Sequence, residues 1–303
     1  MAVANQVANK DLDKILARLA VYALLCCLLS VSAFAKVRNF ANAKATLKQI
    51  YLDLGEGAWE DFYCQAPFIP KDNRLEILPS QKYTPRISSK KVQYIEWEHI
   101  MPAHRFGSEL KCWQDNQSKN NKNLPKNAKS AKTSNSAKTA KTTQSSRKSC
   151  QKDALFRQME GDLHNLVPAI DEINRDRRDF EYAIPPSELE FSQYGACRVY
   201  SNFAEAKFYP AEYSRGWIAR TYLYMSKKYG IKLTDDEEYI MHLWDRQYPP
   251  SKREKAIREA IEHKQKWEET MQVLDEAKKL YRKSKNPRKK PYKNPRKLRN
   301  VFR

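Results

Sequence analysis

Apolar residues recur every three or four positions from Phe40 to Leu54, which predicts a helix, and the cluster Phe62-Tyr63-Cys64 that follows reads as a strand. Tyr94-Ile95-Glu96-Trp97-Glu98-His99 is rich in aromatic and β-branched side chains, as strands are, and Pro102 stops any regular ladder beyond it. Neighbouring strand residues face opposite ways, so Glu98 and His99 can serve one site only at a strand end or bend, which Pro102 supplies. Leu163 to Val167 reads as a second strand and 168–178 as a helix. Pro168 suits its first turn, Ile170 and Ile173 mark its buried face, and Asn174 falls near its middle. From Ser214, a candidate N-cap, Trp217, Ile218, Thr221, Tyr222 and Met225 keep helical spacing until Gly230 closes the segment. Thr234 with Glu237 and Ser251 with Glu254 have the spacing of capping boxes and open two more helices, the last from about Lys252 to Tyr281. These stripes are packing faces and need no chemistry to explain them.

The apolar run at the N-terminus is of another kind. Lys14 and Arg18 precede Leu19 to Val31, and Ala33-Phe34-Ala35 follows. A run of about thirteen residues is too short to span a bilayer, so 1–35 reads as a signal peptide cut before Lys36, with no membrane anchor afterwards. Large leucines before Cys26 argue against a lipid-anchored cysteine at Cys26 or Cys27. Export changes the reading of the other cysteines, because Cys64, Cys112, Cys150 and Cys197 can then persist as disulfides. Four cysteines allow three connectivities, and spacing does not choose among them. No CxxC or CxxH spacing supports a zinc site instead.

Charge alters the picture next. The formal net charge is +20, yet Asn116–Ser146 carries seven lysines and no acid, and Ala277–Arg303 carries thirteen Lys or Arg and no acid. These two tracts hold the entire excess, leaving the rest of the chain balanced. The first is Lys, Asn, Ser, Ala and Thr in low-complexity order and reads as a disordered insertion at 116–146. The second repeats Lys-Asn-Pro-Arg-Lys at 285–289 and 293–297, and its prolines preclude a continuous helix, so 284–303 reads as a basic disordered tail.

A Glu-His pair alone is an ordinary surface feature, but this one has company. In chain order, Glu98-His99, Phe106-Gly107, Cys112-Trp113-Gln114-Asp115, Arg147-Lys148-Ser149-Cys150, the run from Met159 to Arg177, and Gln193-Tyr194-Gly195-Ala196-Cys197 closely resemble the endonuclease I family, over about Phe40 to Tyr248. The resemblance implies an α+β fold around a ββα-metal (His-Me) finger, formed here by strand 94–99, strand 163–167 and helix 168–178. It places a catalytic domain at 36–250, followed by a C-terminal helix at 251–283 that departs from the family's usual pattern. It also implies the pairs Cys112 with Cys150 and Cys64 with Cys197. Many relatives have Cys-Gly-Cys where this chain has Cys64-Gln65-Ala66, and a cysteine where it has Leu78-Pro79-Ser80, so one whole bridge is missing.

What the resemblance implies for chemistry is specific. His99 is the general base, Glu98 and Asn174 hold Mg²⁺, for which Mn²⁺ can substitute, Glu160 is a second acidic residue of the site, and Arg147 contacts the phosphate. His164, Trp97 and Arg177 support them, His164 as a hydrogen-bonded histidine that orients the finger. These residue types suit phosphodiester cleavage, since Mg²⁺ prefers oxygen ligands and keeps several waters, an imidazole can activate a water, and an arginine fork matches phosphate oxygens. His104, His242 and His263 lie outside the motifs. Relatives often have Asn-Gly-Asp-Arg where this chain has Asn174-Arg175-Asp176-Arg177, a change harmful at positive φ and harmless in a helix. The expectation is an exported, monomeric, Mg²⁺-dependent endonuclease, periplasmic or secreted, with little sequence preference. It would cleave double- and single-stranded DNA and RNA to 5′-phosphate and 3′-hydroxyl ends. The alternatives are a non-catalytic nucleic-acid or polyanion binder, or an inactive family member.

Overall fold

The helix predicted at Phe40 has the expected bounds. α1 spans Phe40–Leu54, the Asn39 side chain accepts from Asn42 N at 2.9 Å to cap it, and Ala43, Leu47, Ile50 and Tyr51 form its buried stripe. The computed structural model describes residues 39–72, 74–87, 94–122 and 135–285. The stretch 1–35, read above as a signal peptide, and the part of the expected tail beyond Lys285 lie outside the described residues, and among those described no helix is long and apolar enough to cross a membrane.

Phe62-Tyr63-Cys64 is a turn, not a strand. The buried Asp61 carboxylate takes the Cys64 N–H across it and also accepts from Ile170 N at 2.8 Å, so a polar anchor replaces a ladder here. The strands that follow, β1 (Phe68–Lys71) and β2 (Arg74–Ile77), form an antiparallel hairpin.

At the centre, β3 (Ile95–His99) pairs antiparallel with β4 (Leu166–Ile170), placing Trp97 opposite Pro168 and His99 opposite Leu166. The second strand therefore starts later than expected, after a 3-10 turn at Leu163–Asn165, and Pro168 is a strand residue rather than a helix start. The reason is geometric. A strand residue's N–H and C=O point the same way, and the Pro168 carbonyl points out of the ladder to accept from Phe62 N at 2.8 Å. Its missing N–H costs the pair nothing. Asn165 then clamps the end of β3: its Oδ1 accepts from Met101 N at 2.7 Å, its Nδ2 donates to Met101 O at 3.0 Å, and its carbonyl accepts from Ile100 N at 2.9 Å. The helix after β4, α6 in chain order, is short, Asp171–Arg177.

Between β3 and β4 lie α2 (Ala103–Gly107), α3 (Lys111–Lys122), α4 (Asn135–Cys150) and α5 (Ala154–Glu160). The stretch expected to be wholly disordered at 116–146 is thus helical at both ends, with 123–134 outside the described residues. Its Lys, Ala and Gln are adequate helix formers. The Cys112–Cys150 disulfide joins the two helices at their far ends, and Ser146 Oγ donates to Asn116 Oδ1 at 3.2 Å.

After β4 and α6, β5 (Glu181–Tyr182), β6 (Tyr200–Asn202) and β7 (Lys207–Tyr209) make a small mixed sheet in the order β5-β7-β6. α7 (Glu212–Tyr229) starts before Ser214, whose hydroxyl turns back to the Ala211 carbonyl, and ends as predicted at Gly230, which is left-handed at φ 69°. Gly216 is required on its packing face, where a Cβ would meet the Tyr248 carbonyl at 2.0 Å. α8 (Asp235–Gln247) has the full Thr234/Glu237 capping box. α9 (Lys252–Lys285) has only half of its box. Ser251 accepts from Glu254 N, but the buried Glu254 carboxylate is taken by Arg220 at 2.5 Å.

The chain divides into a compact unit, Val37–Lys264, and a second unit whose described part is the end of α9 from Gln265. Ile257 and Ile261 are fully buried in the core of the first unit, so the domain reaches past the expected boundary at 250. The Cys64–Cys197 disulfide closes 133 residues of that unit and the Cys112–Cys150 disulfide closes 38. Loop-closure entropy gives the longer one the larger effect, about 5 against about 4 kcal/mol, with measured losses usually about 2–5. Cys64→Ala/Cys197→Ala is accordingly expected to lower the denaturant midpoint more than Cys112→Ala/Cys150→Ala, as equilibrium unfolding of both variants would show.

Candidate active site

His99 ends β3 and is 93% shielded, with its ring 4.7 Å from Phe40 and 5.9 Å from Phe106. Its Nε2 lies 2.8 Å from the Glu160 carbonyl oxygen. A carbonyl only accepts, so Nε2 carries the proton and Nδ1 keeps the lone pair. Burial, the Arg147 charge and those of Arg177 and Lys44 lower its pKa to about 3 against the pull of the carbonyl bond. The imidazole is therefore neutral at ordinary pH, as a proton acceptor must be.

Glu98 is also buried, and Arg177 Nη1 lies 3.3 Å from its Oε1, which the Tyr63 hydroxyl meets at 3.3 Å as well. Burial pushes this carboxyl up to about 7, beyond what Arg177 and the tyrosine pull back. A further cation beside it would favour its ionised form. Arg177, fully buried, also donates to the Ile100 carbonyl at 2.7 Å and lies over the Tyr182 ring at 4.7 Å, tying α6 to the end of β3.

Asn174 is half-buried on α6, and its Nδ2 donates to Glu96 Oε2 at 3.0 Å. That bond orients the amide and leaves Oδ1 as the oxygen available to a cation. Glu98 and Asn174 line one cavity of about 900 Å³ together with His99, Trp97, Arg147, Phe40 and Lys44. A carboxylate oxygen and an amide oxygen in a cavity of this size suit a hard divalent ion that keeps several waters. Among the described residues no three His, Cys, Asp or Glu side chains converge as a tighter metal site would need.

Arg147, on the last turn of α4, pairs with Glu160 through Nε at 2.7 Å and lies over Phe40 at 5.1 Å. Glu160 does not line the cavity. It acts on the site through its neighbours, with its carboxylate on Arg147 and its carbonyl on His99. Trp97 lines the cavity and packs edge-on against Tyr51 at 5.4 Å. His164 is not the hydrogen-bonded histidine expected: among the described residues its buried Nδ1 has no hydrogen-bond partner, its ring packs against Tyr224 at 4.9 Å away from the cavity lining, and burial lowers its pKa to about 4. His104 also lines the cavity, whereas His242 and His263 are exposed. Arg175 is helical and pairs with Asp171 at 2.9 Å, so the departure from glycine carries no backbone penalty. Tyr63, Tyr182, Phe40 and Lys44 escape a reading of the sequence. The Tyr63 and Tyr182 hydroxyls meet at 2.8 Å across 119 residues, and no local signal announces such a contact.

Because Arg147 lies one helical turn before Cys150, the Cys112–Cys150 bridge secures its base. Opening it with Cys112→Ala/Cys150→Ala is expected to lower kcat/KM at this site about tenfold, the value of one charge-assisted hydrogen bond, in steady-state assays well below the melting temperature.

A neutral buried imidazole beside a carboxylate, an oriented amide and a lining rich in cations defines an α+β hydrolytic site suited to an anionic substrate. The comparisons give that class its family: the chain belongs to the endonuclease I family, whose model matches residues 49–269, and is an endonuclease. It is 34% identical over 232 residues to an extracellular deoxyribonuclease of Aeromonas hydrophila, covering 74% of this chain and 85% of the relative. A periplasmic deoxyribonuclease of the same organism is 36% identical over 213 residues, 69% of this chain and 76% of the relative. Endonuclease-1 of Buchnera aphidicola subsp. Acyrthosiphon pisum is 34% identical over 226 residues, 73% and 76% of the two chains.

Proposed function

We propose that this protein is an exported, monomeric, Mg²⁺-dependent endonuclease, periplasmic or secreted, that cleaves double- and single-stranded DNA and RNA with little sequence preference, leaving 5′-phosphate and 3′-hydroxyl ends. The observation that carries the reading is His99 held by the Glu160 carbonyl, with its basic nitrogen left for a water, in the same cavity as Glu98 and Asn174. The export reading is supported by the deoxyribonuclease relatives named extracellular and periplasmic.

In this mechanism His99 Nδ1 takes the proton of the attacking water, and the buried Nε2–H bond keeps the ring from turning. Arg147 and Lys44 face the phosphate, where backbone recognition suffices because every phosphate is alike. Glu98 Oε2 and Asn174 Oδ1 would hold Mg²⁺, which when bound supplies charge neutralisation at the phosphate and help for the departing 3′-oxygen. Arg177 and Tyr63 fix the Glu98 carboxylate through its other oxygen, and Glu96 fixes the Asn174 amide. Incubation of the purified protein with plasmid DNA and with RNA, each with and without chelator, tests the reading. Binding without cleavage in Mg²⁺ would favour a polyanion binder.

The basic tracts are read as electrostatic arms. Removing 123–134 and 286–303, which keeps α3, α4 and Arg147, is expected to weaken DNA binding while the rate at saturating DNA barely changes. The slope of log K against log salt should flatten by roughly 0.9 for each phosphate no longer neutralised. Affinities of full-length and trimmed protein at several salt concentrations would measure it, and an unchanged slope would make the tracts idle.

A further inference from the structure

The cavity lining contains two cation–aromatic groups. Lys44 and Arg147 over Phe40 belong to the site above. The second is unused by it: the Arg178 guanidinium lies 5.6 Å from the Phe180 ring centre and 5.4 Å from that of Phe203, and all three residues line the cavity. Phe203 sits near the tip of the β6–β7 hairpin and takes Arg86 at 5.4 Å as well.

Arg178 differs from the other arginines around it in charge balance. Arg86 pairs with Asp176, Arg147 with Glu160, Arg175 with Asp171 and Arg177 with Glu98. Among the described residues Arg178 has no ion-pair partner, although Asp179 also lines the cavity. Its backbone is unusual too. It follows the last turn of α6 at φ 54° and ψ −128°, a conformation natural to glycine and costly for a residue with a Cβ. An arginine kept in a glycine conformation, exposed, steadied on two rings and unpaired in an otherwise compensated cluster is poorly explained by packing. Stacking on ring faces leaves the guanidinium edge free, and that edge matches phosphate oxygens.

We propose that Arg178, held by Phe180 and Phe203, is a substrate-binding residue that grips a backbone phosphate next to the one being cleaved, extending the grip on the strand beyond the Arg147 side of the cavity. The proposal rests on the endonuclease reading. Arg178 touches neither His99 nor Glu98, so it is assigned to holding the strand and not to the chemical step.

The test uses the full-length protein with Arg178→Gly and Arg178→Lys. Affinity for a short DNA duplex is measured in chelator at several salt concentrations, and kcat and KM in Mg²⁺. Arg178→Gly is expected to reduce the salt slope by about 0.9, the value of a single phosphate, and to raise KM about tenfold with kcat within about twofold. Thermal stability should hold or rise, since glycine suits the backbone. Arg178→Lys should keep the slope but recover only part of KM, because it retains the charge and loses the fork. An unchanged slope and KM in Arg178→Gly, or a fall in kcat alone, would overturn the assignment. Binding is read without cleavage, so a wild type inactive on DNA would overturn the nuclease reading and still leave the slope to decide on Arg178.

Discussion

His99→Ala is expected to lower the rate of DNA cleavage by about 10² to 10⁴, the usual worth of a positioned general base, with affinity for DNA changed little. The split follows from the geometry. Among the described residues the imidazole donates to the Glu160 carbonyl alone and packs at a tilt against Phe40, so its loss removes the proton acceptor while Arg147, Lys44, Glu98 and Asn174 keep their own supports. Single-turnover cleavage and binding in chelator measure the two halves separately, and a circular dichroism spectrum confirms that the variant folds. Wild-type turnover in His99→Ala would refute the mechanism.

Cleavage is expected to cease in excess EDTA and to return with Mg²⁺ or Mn²⁺. In the proposed mechanism Glu98 and Asn174, which line one cavity, would give a cation two protein oxygens and so a weak hold, and a chelator should strip it readily. Zn²⁺ should restore little, because it favours tetrahedral nitrogen and sulfur ligands that this cavity does not assemble. Undiminished cleavage in EDTA would remove Glu98 and Asn174 from the ligand role. If they hold that role, Asn174→Ala should raise the Mg²⁺ concentration needed for half-maximal rate, which a metal titration of the variant would show.

Much of the site was legible because the ordered blocks around Glu98, His99, Arg147, Glu160 and Asn174 are distinctive, and the structure places four of them on one cavity, with Glu160 behind it, bonded to Arg147 and His99. Their division of labour was not legible. Glu160 reads as another acid of the site, yet its backbone oxygen settles the tautomer of His99 from 61 residues away. Arg175 reads as a possible defect, and the helix of α6 makes it harmless. Arg178 carries no motif at all, and only its backbone angles and the rings beneath it single it out.

The sequence by itself determined the elements whose signals are local: α1 from Phe40 to Leu54, the end of α7 at Gly230, the Thr234/Glu237 box, and a strand that ends in Glu98-His99. Each depends on neighbours within about one or two turns, where periodicity and capping act. Tertiary structure decided the rest. Asp61 holds Phe62-Tyr63-Cys64 as a turn by bonding a strand over a hundred residues away. Pro168 stays in β4 because Phe62 waits outside the ladder, and Glu254 leaves its box for Arg220 because burial makes an ion partner worth more than a cap. A buried polar group takes whichever partner the packed chain presents, and that partner is set by the fold, not by distance along the sequence.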